Sequence, residues 1–73
     1  MTGTKYNQRL ATLCEYLQAI DRNSDFLDLY EEYQTEEITL TEAMEAVRSA
    51  LNNLLNDNPN DNTVKRMIRY AND

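Results

Sequence analysis

An all-α fold is expected for this chain: a small three-helix domain followed by a short C-terminal helix or tail. Three observations predict it. One glycine and one proline in 73 residues are too few for a small all-β fold, which depends on Gly- and Pro-rich turns. Good helix formers (Leu, Ala, Glu, Gln, Met) are abundant instead. Two long stretches also carry apolar residues in alternating steps of four and three, the repeat of one helix face. A chain this short holds one domain at most, and such a domain buries only about 60% of the surface its unfolded form exposes. Every apolar side chain is then needed for the core, which argues against a deep, dry catalytic cavity.

The first stretch runs Tyr6, Leu10, Leu13, Leu17, Ile20 and predicts a helix over 5–21, capped by Thr2 or Thr4 and stopped at 21–24, DRNS. Ser24 is expected to cap a second helix over 25–35, with Asp25 in its first turn near the positive end of the helix dipole. There Phe26, Leu29 or Tyr30, and Tyr33 face one side, and Asp28, Glu31, Glu32 and Glu36 the other. Neither Gly nor Pro separates these two segments, so one continuous helix is the alternative. The stripe Leu40, Met44, Val47, Leu51, Leu54 predicts a third helix over 40–56, flanked by Ala43 and Ala50. Thr39 followed by Glu42 fits a capping box, in which two orphan N–H groups are satisfied reciprocally. Pro59 disfavours αR at Asn58 and cannot continue the hydrogen-bond ladder, so the helix ends there.

The expected organisation is a helical domain over 1–58 and a basic C-terminal segment over 59–73. Thr63 is placed to cap the segment TVKRMIRYA, with Val64, Met67 or Ile68, and Ala71 on one side. Alone it is too short to hold a helix in water. It is expected either to dock on the body, against the acidic second helix, or to order on binding a partner.

The net charge of −6 is unevenly spread. Residues 1–14 carry Lys5 and Arg9 and no acid; residues 15–45 carry ten acids against Arg22 alone; residues 46–73 carry Arg48, Lys65, Arg66 and Arg69 against three acids. An acidic middle lies between mildly basic ends. Cys14 is the only cysteine and there is no histidine. That removes an internal disulfide, cysteine-based zinc, the Ser-His and Cys-His nucleophile pairs and the usual general base. No enzyme activity and no cofactor are expected. Cys14, beside the first stripe, is expected to be a small buried packing group. No apolar run approaches the length of a membrane span, and a cytoplasmic location with no membrane contact is expected.

Two patterns carry candidate chemistry. In DRNSDFLDLYEE, residues 21–32, Asp21, Asn23, Asp25 and Glu32 occupy positions 1, 3, 5 and 12 of a calcium loop. Phe26 stands where that loop needs glycine and Asp28 where it needs an apolar residue, so helix capping by Ser24 is the preferred explanation of the same letters. The second pattern is DLYEEYQTEE, residues 28–37, with five carboxylates, two tyrosines and no cation. Without i,i+4 basic partners such a face repels itself. Asp28, Tyr30, Glu31, Glu32, Tyr33, Glu36 and Glu37 are therefore the candidate partner-binding residues, a carboxylate–tyrosine face suited to a basic protein surface. Lys65, Arg66, Arg69 and Tyr70 form a candidate second contact, offering phosphate and base-stacking groups for a weak RNA contact.

In size, charge layout and helical character the whole chain, from MTGTKYNQRLATLCEYLQ through KRMIRYAND, resembles the small regulators that lytic phages make to take over host machinery. The Xanthomonas phage anti-termination type, which binds host RNA polymerase, is the nearest resemblance. It implies docking near the RNA exit channel, with inhibition of transcription initiation and suppression of termination, in the cytoplasm of an infected bacterium. Other expectations from the residues are an acidic nucleic-acid mimic that inhibits a host defence complex, of anti-CRISPR or anti-restriction type, and homodimerisation through the heptad-like stripes. A monomer is preferred over the dimer.

Overall fold

The computed structural model describes residues 5–72. They form four helices and no strand: α1 (Gln8–Ile20), α2 (Phe26–Gln34), α3 (Leu40–Asp57) and α4 (Asn62–Asn72). The all-α class is as expected, and the C-terminal segment is a fourth helix rather than a tail. It docks on α3 and α1, not on the acidic α2 as anticipated. Both α1 and α3 touch every other helix, whereas α2 and α4 flank that pair without touching each other.

The predicted stripes meet along α1 and α3. Leu10, Leu13, Leu17, Val47 and Leu51 are buried, with Cys14, Ala43 and Met44 beside them. The two alanines permit close approach of α3: Ala43 is fully enclosed and Ala50 half-buried. The stripe ends do not follow. Tyr6 precedes α1 and is exposed, as are Ile20 and Leu40 at helix termini. Cys14 is 1% exposed. Burial, and then the Glu15 carboxylate, push its thiol pKa up to about 11, so it is a packing group rather than a ready thiolate.

Each helix start has an identifiable cause. Asn7, not an earlier threonine, caps α1: its Oδ1 accepts from Leu10 N at 3.0 Å. Thr2 and Thr4 lie outside the described residues. Helices α1 and α2 are separate because residues 21–25 make a hydrogen-bonded turn. Asp21 Oδ1 accepts from Asn23 N, and Ser24 Oγ donates to Asp21 O at 2.7 Å. The Ser24 hydroxyl hydrogen is shared with Gln18 Oε1, and Ser24 does not cap α2, which begins at Phe26, one residue too late for Ser24 to stand at the cap position. Asp25 stands at the cap position without a side-chain cap bond. Gln18 of α1 does the work instead: its Oε1 accepts from Leu27 N at 3.3 Å and its Nε2 donates to Arg22 O. The α3 capping box is present as expected, with Thr39 and Glu42 each accepting from the other's backbone N–H. At α4 the cap is Asp61 rather than Thr63; its Oδ1 accepts from Thr63 N and Val64 N.

Helix α4 is held by more than its apolar face. Val64 and Ala71 are buried, and Met67, Ile68 and Tyr70 pack against the common core. Arg48 of α3 donates from Nη1 to Ala71 O at 3.2 Å, placing a cation at the negative end of the α4 dipole. The Arg9 guanidinium lies 5.5 Å from the centre of the Tyr70 ring, within cation–π range. The turn at residues 58–61 joins α3 to α4, and Ala71 belongs to the same buried cluster as Leu10 and Leu51.

Candidate protein-docking surface

Helix α2 is built from two unlike faces. Its inner face carries Phe26, Leu29, Tyr30 and Tyr33 toward α1 and α3. Tyr33 is only 7% exposed, and its ring lies 5.7 Å from that of half-buried Tyr30. The Tyr30 hydroxyl accepts from Asn7 N at 3.2 Å, and Gln34 Nε2 donates to Lys5 O. The tyrosines are therefore core and seam residues, not members of the acidic face to which they were assigned. The expected carboxylate–tyrosine surface does not exist in that form.

The outer face keeps its carboxylates. Asp28, Glu31, Glu32 and Glu37 are exposed and, with Thr35, line one open depression. Asp28 also borders a second depression, lined by Gln18, Ser24, Asp25 and Leu27. The two join into a continuous acidic flank running from the α1–α2 turn to the end of α2. Leu27, 55% exposed, is the apolar group on this flank, a residue that the charge pattern alone passed over. A signal was available: Leu27 lies off the Phe26–Tyr30–Tyr33 stripe and four residues before Glu31, one turn below it on the same face.

Glu36 departs from the flank. The end of α2 closes as a Schellman motif: Glu37 N donates to Glu32 O and Glu36 N to Tyr33 O. This closure sets Glu36 at φ 66°, a left-handed position usually given to glycine. Its carboxylate pairs with Lys5 Nζ at 3.0 Å, and Lys5 also lies 5.9 Å from the Tyr33 ring centre. The acidic run thus has one cation at its C-terminal end, supplied from outside the segment. Both partners are well exposed, so the pair adds a few tenths of a kcal/mol at most, about the low end for surface ion pairs.

The basic candidates on α4 divide similarly. Lys65, Arg66 and Arg69 are exposed, whereas Tyr70 is half-buried with one face met by Arg9. A cationic strip remains beside a tyrosine that is engaged with Arg9. The calcium loop has no geometry to support it. Asp21 is engaged in its turn, and among the described residues no three His, Cys, Asp or Glu side chains are grouped to hold a metal. Tyr16, near the start of α4, has its phenol pKa raised by partial burial and by the Asp61 carboxylate. Among the described residues no helix is long and apolar enough to cross a membrane.

What this arrangement offers chemically is an exposed, negatively charged contact surface. The α2 flank is a row of solvated carboxylates with one exposed leucine toward its N-terminal end, fixed to the core by buried Tyr33 and half-buried Tyr30. No protein-family model, curated protein or solved structure matches the chain.

Proposed function

We propose that the protein is a non-enzymatic regulator that captures the cationic surface of a larger partner through the outer flank of α2. The partner class put forward is host RNA polymerase, with inhibition of initiation or antitermination as the consequence. The supporting observation is the flank itself: Asp28, Glu31, Glu32 and Glu37 share one exposed depression, on a helix whose other face is committed to the core. Leu27 supplies an apolar contact in the adjoining depression, which shares Asp28. A single-sign flank steers association with an oppositely charged surface and raises the on-rate at low salt. Occlusion of whatever ligand that surface normally holds is the mechanism. The exposed Lys65, Arg66 and Arg69 of α4, on the other flank, form a second, weaker contact.

A second function is favoured by the inward placement of Tyr33, which is buried, and Tyr30, which is half-buried. With the tyrosines withdrawn, the flank offers almost nothing but carboxylates, which suits a nucleic-acid mimic that inhibits a host defence complex. Removing residues 60–73 would not separate the two ideas, because Val64 and Ala71 are core residues. Charge reversal does. Glu31→Lys with Glu32→Lys is expected to reduce capture of RNA polymerase from bacterial lysate by about tenfold at low salt, with helicity unchanged, and the loss shrinks as salt rises. Lys65→Glu, Arg66→Glu and Arg69→Glu together are expected to weaken capture less. Polymerase capture that ignores the α2 reversal removes the proposal; defence-complex inhibition that depends on it, without polymerase capture, selects the mimic.

A further inference from the structure

A different surface, at the end of the molecule where α1 and α3 both terminate, joins apolar and negative character in one place. Leu17, Ile20, Phe26 and Leu54 line a notch of about 190 Å³, with Asp21 and Asp57 on its rim. Ile20 is 48% exposed there, although it continues the buried α1 stripe. Neither α1 nor α3 has a basic residue in its last turn, so the negative ends of two helix dipoles reinforce the two carboxylates. Arg22, in the adjoining turn, does not line the notch. An apolar hollow beside four sources of negative potential attracts a group that is apolar in the middle and cationic at its edges.

We infer that this notch docks a segment of a partner protein in which one large apolar side chain is flanked by Lys or Arg. The apolar side chain fills the space over Leu17, between Ile20, Phe26 and Leu54. The flanking cations meet Asp21 on one side and Asp57 on the other. This interaction is independent of the α2 flank, since none of Glu31, Glu32 or Glu37 reaches the notch.

The test titrates the full ¹⁵N-labelled chain with a blocked peptide carrying one leucine between pairs of arginines, followed by NMR. Saturable shifts are expected at the amides of Ile20, Phe26 and Leu54. Replacing the peptide's leucine by serine is expected to weaken binding about tenfold, the loss of one buried aliphatic side chain. Asp21→Asn with Asp57→Asn is expected to weaken it about fivefold, as for exposed charge pairs beside helix ends. Asn53→Phe, from the exposed edge of the notch on α3, is expected to abolish the notch shifts with far-UV circular dichroism unchanged. Equal binding of the serine peptide, or full binding to the Asp→Asn variant, overturns the inference. So does sedimentation showing a dimer that Ile20→Ser dissociates, which would make a second copy the occupant. Glu31→Lys with Glu32→Lys should leave this titration within about twofold, so failure of the notch and failure of the α2 flank are separable.

Discussion

Helices α2 and α4 flank the same α1–α3 pair and are both amphipathic, yet they distribute charge in opposite ways. Helix α4 places charge in accord with its dipole: Asp61 caps its N-terminus, Arg69 lies in its last turn, and Arg48 reaches its terminal carbonyl. Helix α2 does the reverse. Only Asp28 sits in its favourable first turn, while Glu31, Glu32, Glu36 and Glu37 gather at the end where the dipole is already negative. Its N-terminal cap is borrowed from Gln18, and its C-terminal turn sets a glutamate in a left-handed conformation. Helix stability explains Asp61, Arg69 and Arg48 at the ends of α4, though not Lys65 and Arg66 near its start, and it does not explain the glutamates that crowd the end of α2. A surface whose composition the fold does not favour is where a binding function is most economically placed.

The largest effect expected from this contrast is on folding. Ala71 is 3% exposed within the common core, and Ala71→Asp would bury a charge without a partner. That costs about 3–5 kcal/mol, much of the stability of a domain this size. Loss of cooperative thermal unfolding is expected, monitored by circular dichroism. Retention of a sharp transition would mean α4 is the separable segment that residues 59–73 suggested. A carboxylate added to the outer face of α2, by contrast, should leave folding intact.

Next comes the shared wall on which both flanks lean. Cys14 keeps its proton more tightly in the folded protein, with a pKa of about 11 against 9.0 for the free side chain. Its contribution is fully present below pH 9 and is lost as pH rises from 9 to 11, because the unfolded chain releases the proton first. The loss amounts to about 2–3 kcal/mol. Tyr16, also shifted upward, acts in the same direction. Urea denaturation at pH 8 and pH 10.5 should show this fall, and Cys14→Ala should flatten most of it. An unchanged slope in the variant would assign alkaline instability elsewhere.

Smaller still is the self-repulsion of α2. Glu32→Lys with Glu37→Lys is expected to raise stability by about 0.5–1 kcal/mol, relieving like charges and complementing the helix end. The gain should fade in about 1 M salt. If the substitutions leave stability unchanged at low salt, the carboxylates carry no folding penalty and the contrast with α4 loses its force.

Much of this contrast could be read from the residues. The α1 and α3 stripes, the Thr39–Glu42 box and the stop before Pro59 follow from local rules, because a helix repeat and a cap involve neighbours in sequence. The borrowed cap from Gln18, the pairing of Lys5 with Glu36 and the seat of α4 on α3 involve residues distant along the chain, and no local pattern encodes them. Tyr30 and Tyr33 are a different case. Their spacing from Phe26 already set them on the inner stripe, opposite the acids, and their proximity to glutamates in the written sequence obscured it. Composition suggested a mixed face; periodicity had separated it into two. Leu27 was legible by the same geometry, as the apolar residue that the inner stripe excludes.

The finest distinction concerns Glu36. Holding a non-glycine residue at φ 66° costs about 1–2 kcal/mol, and its exposed pair with Lys5 returns only a few tenths of a kcal/mol. Glu36→Gly removes both terms and is expected to stabilise the protein by about 0.5 kcal/mol, net of the greater freedom glycine adds to the unfolded chain. Glu36→Ala removes the pair but keeps the strained backbone, so it should destabilise by a few tenths of a kcal/mol. Opposite signs for the two variants, measured as urea midpoints at constant m, are what a strained Schellman turn requires. Two losses of equal size would instead make the Lys5 pair the important element at this end of α2. The C-terminal turn would then be built for stability, as the ends of α4 are.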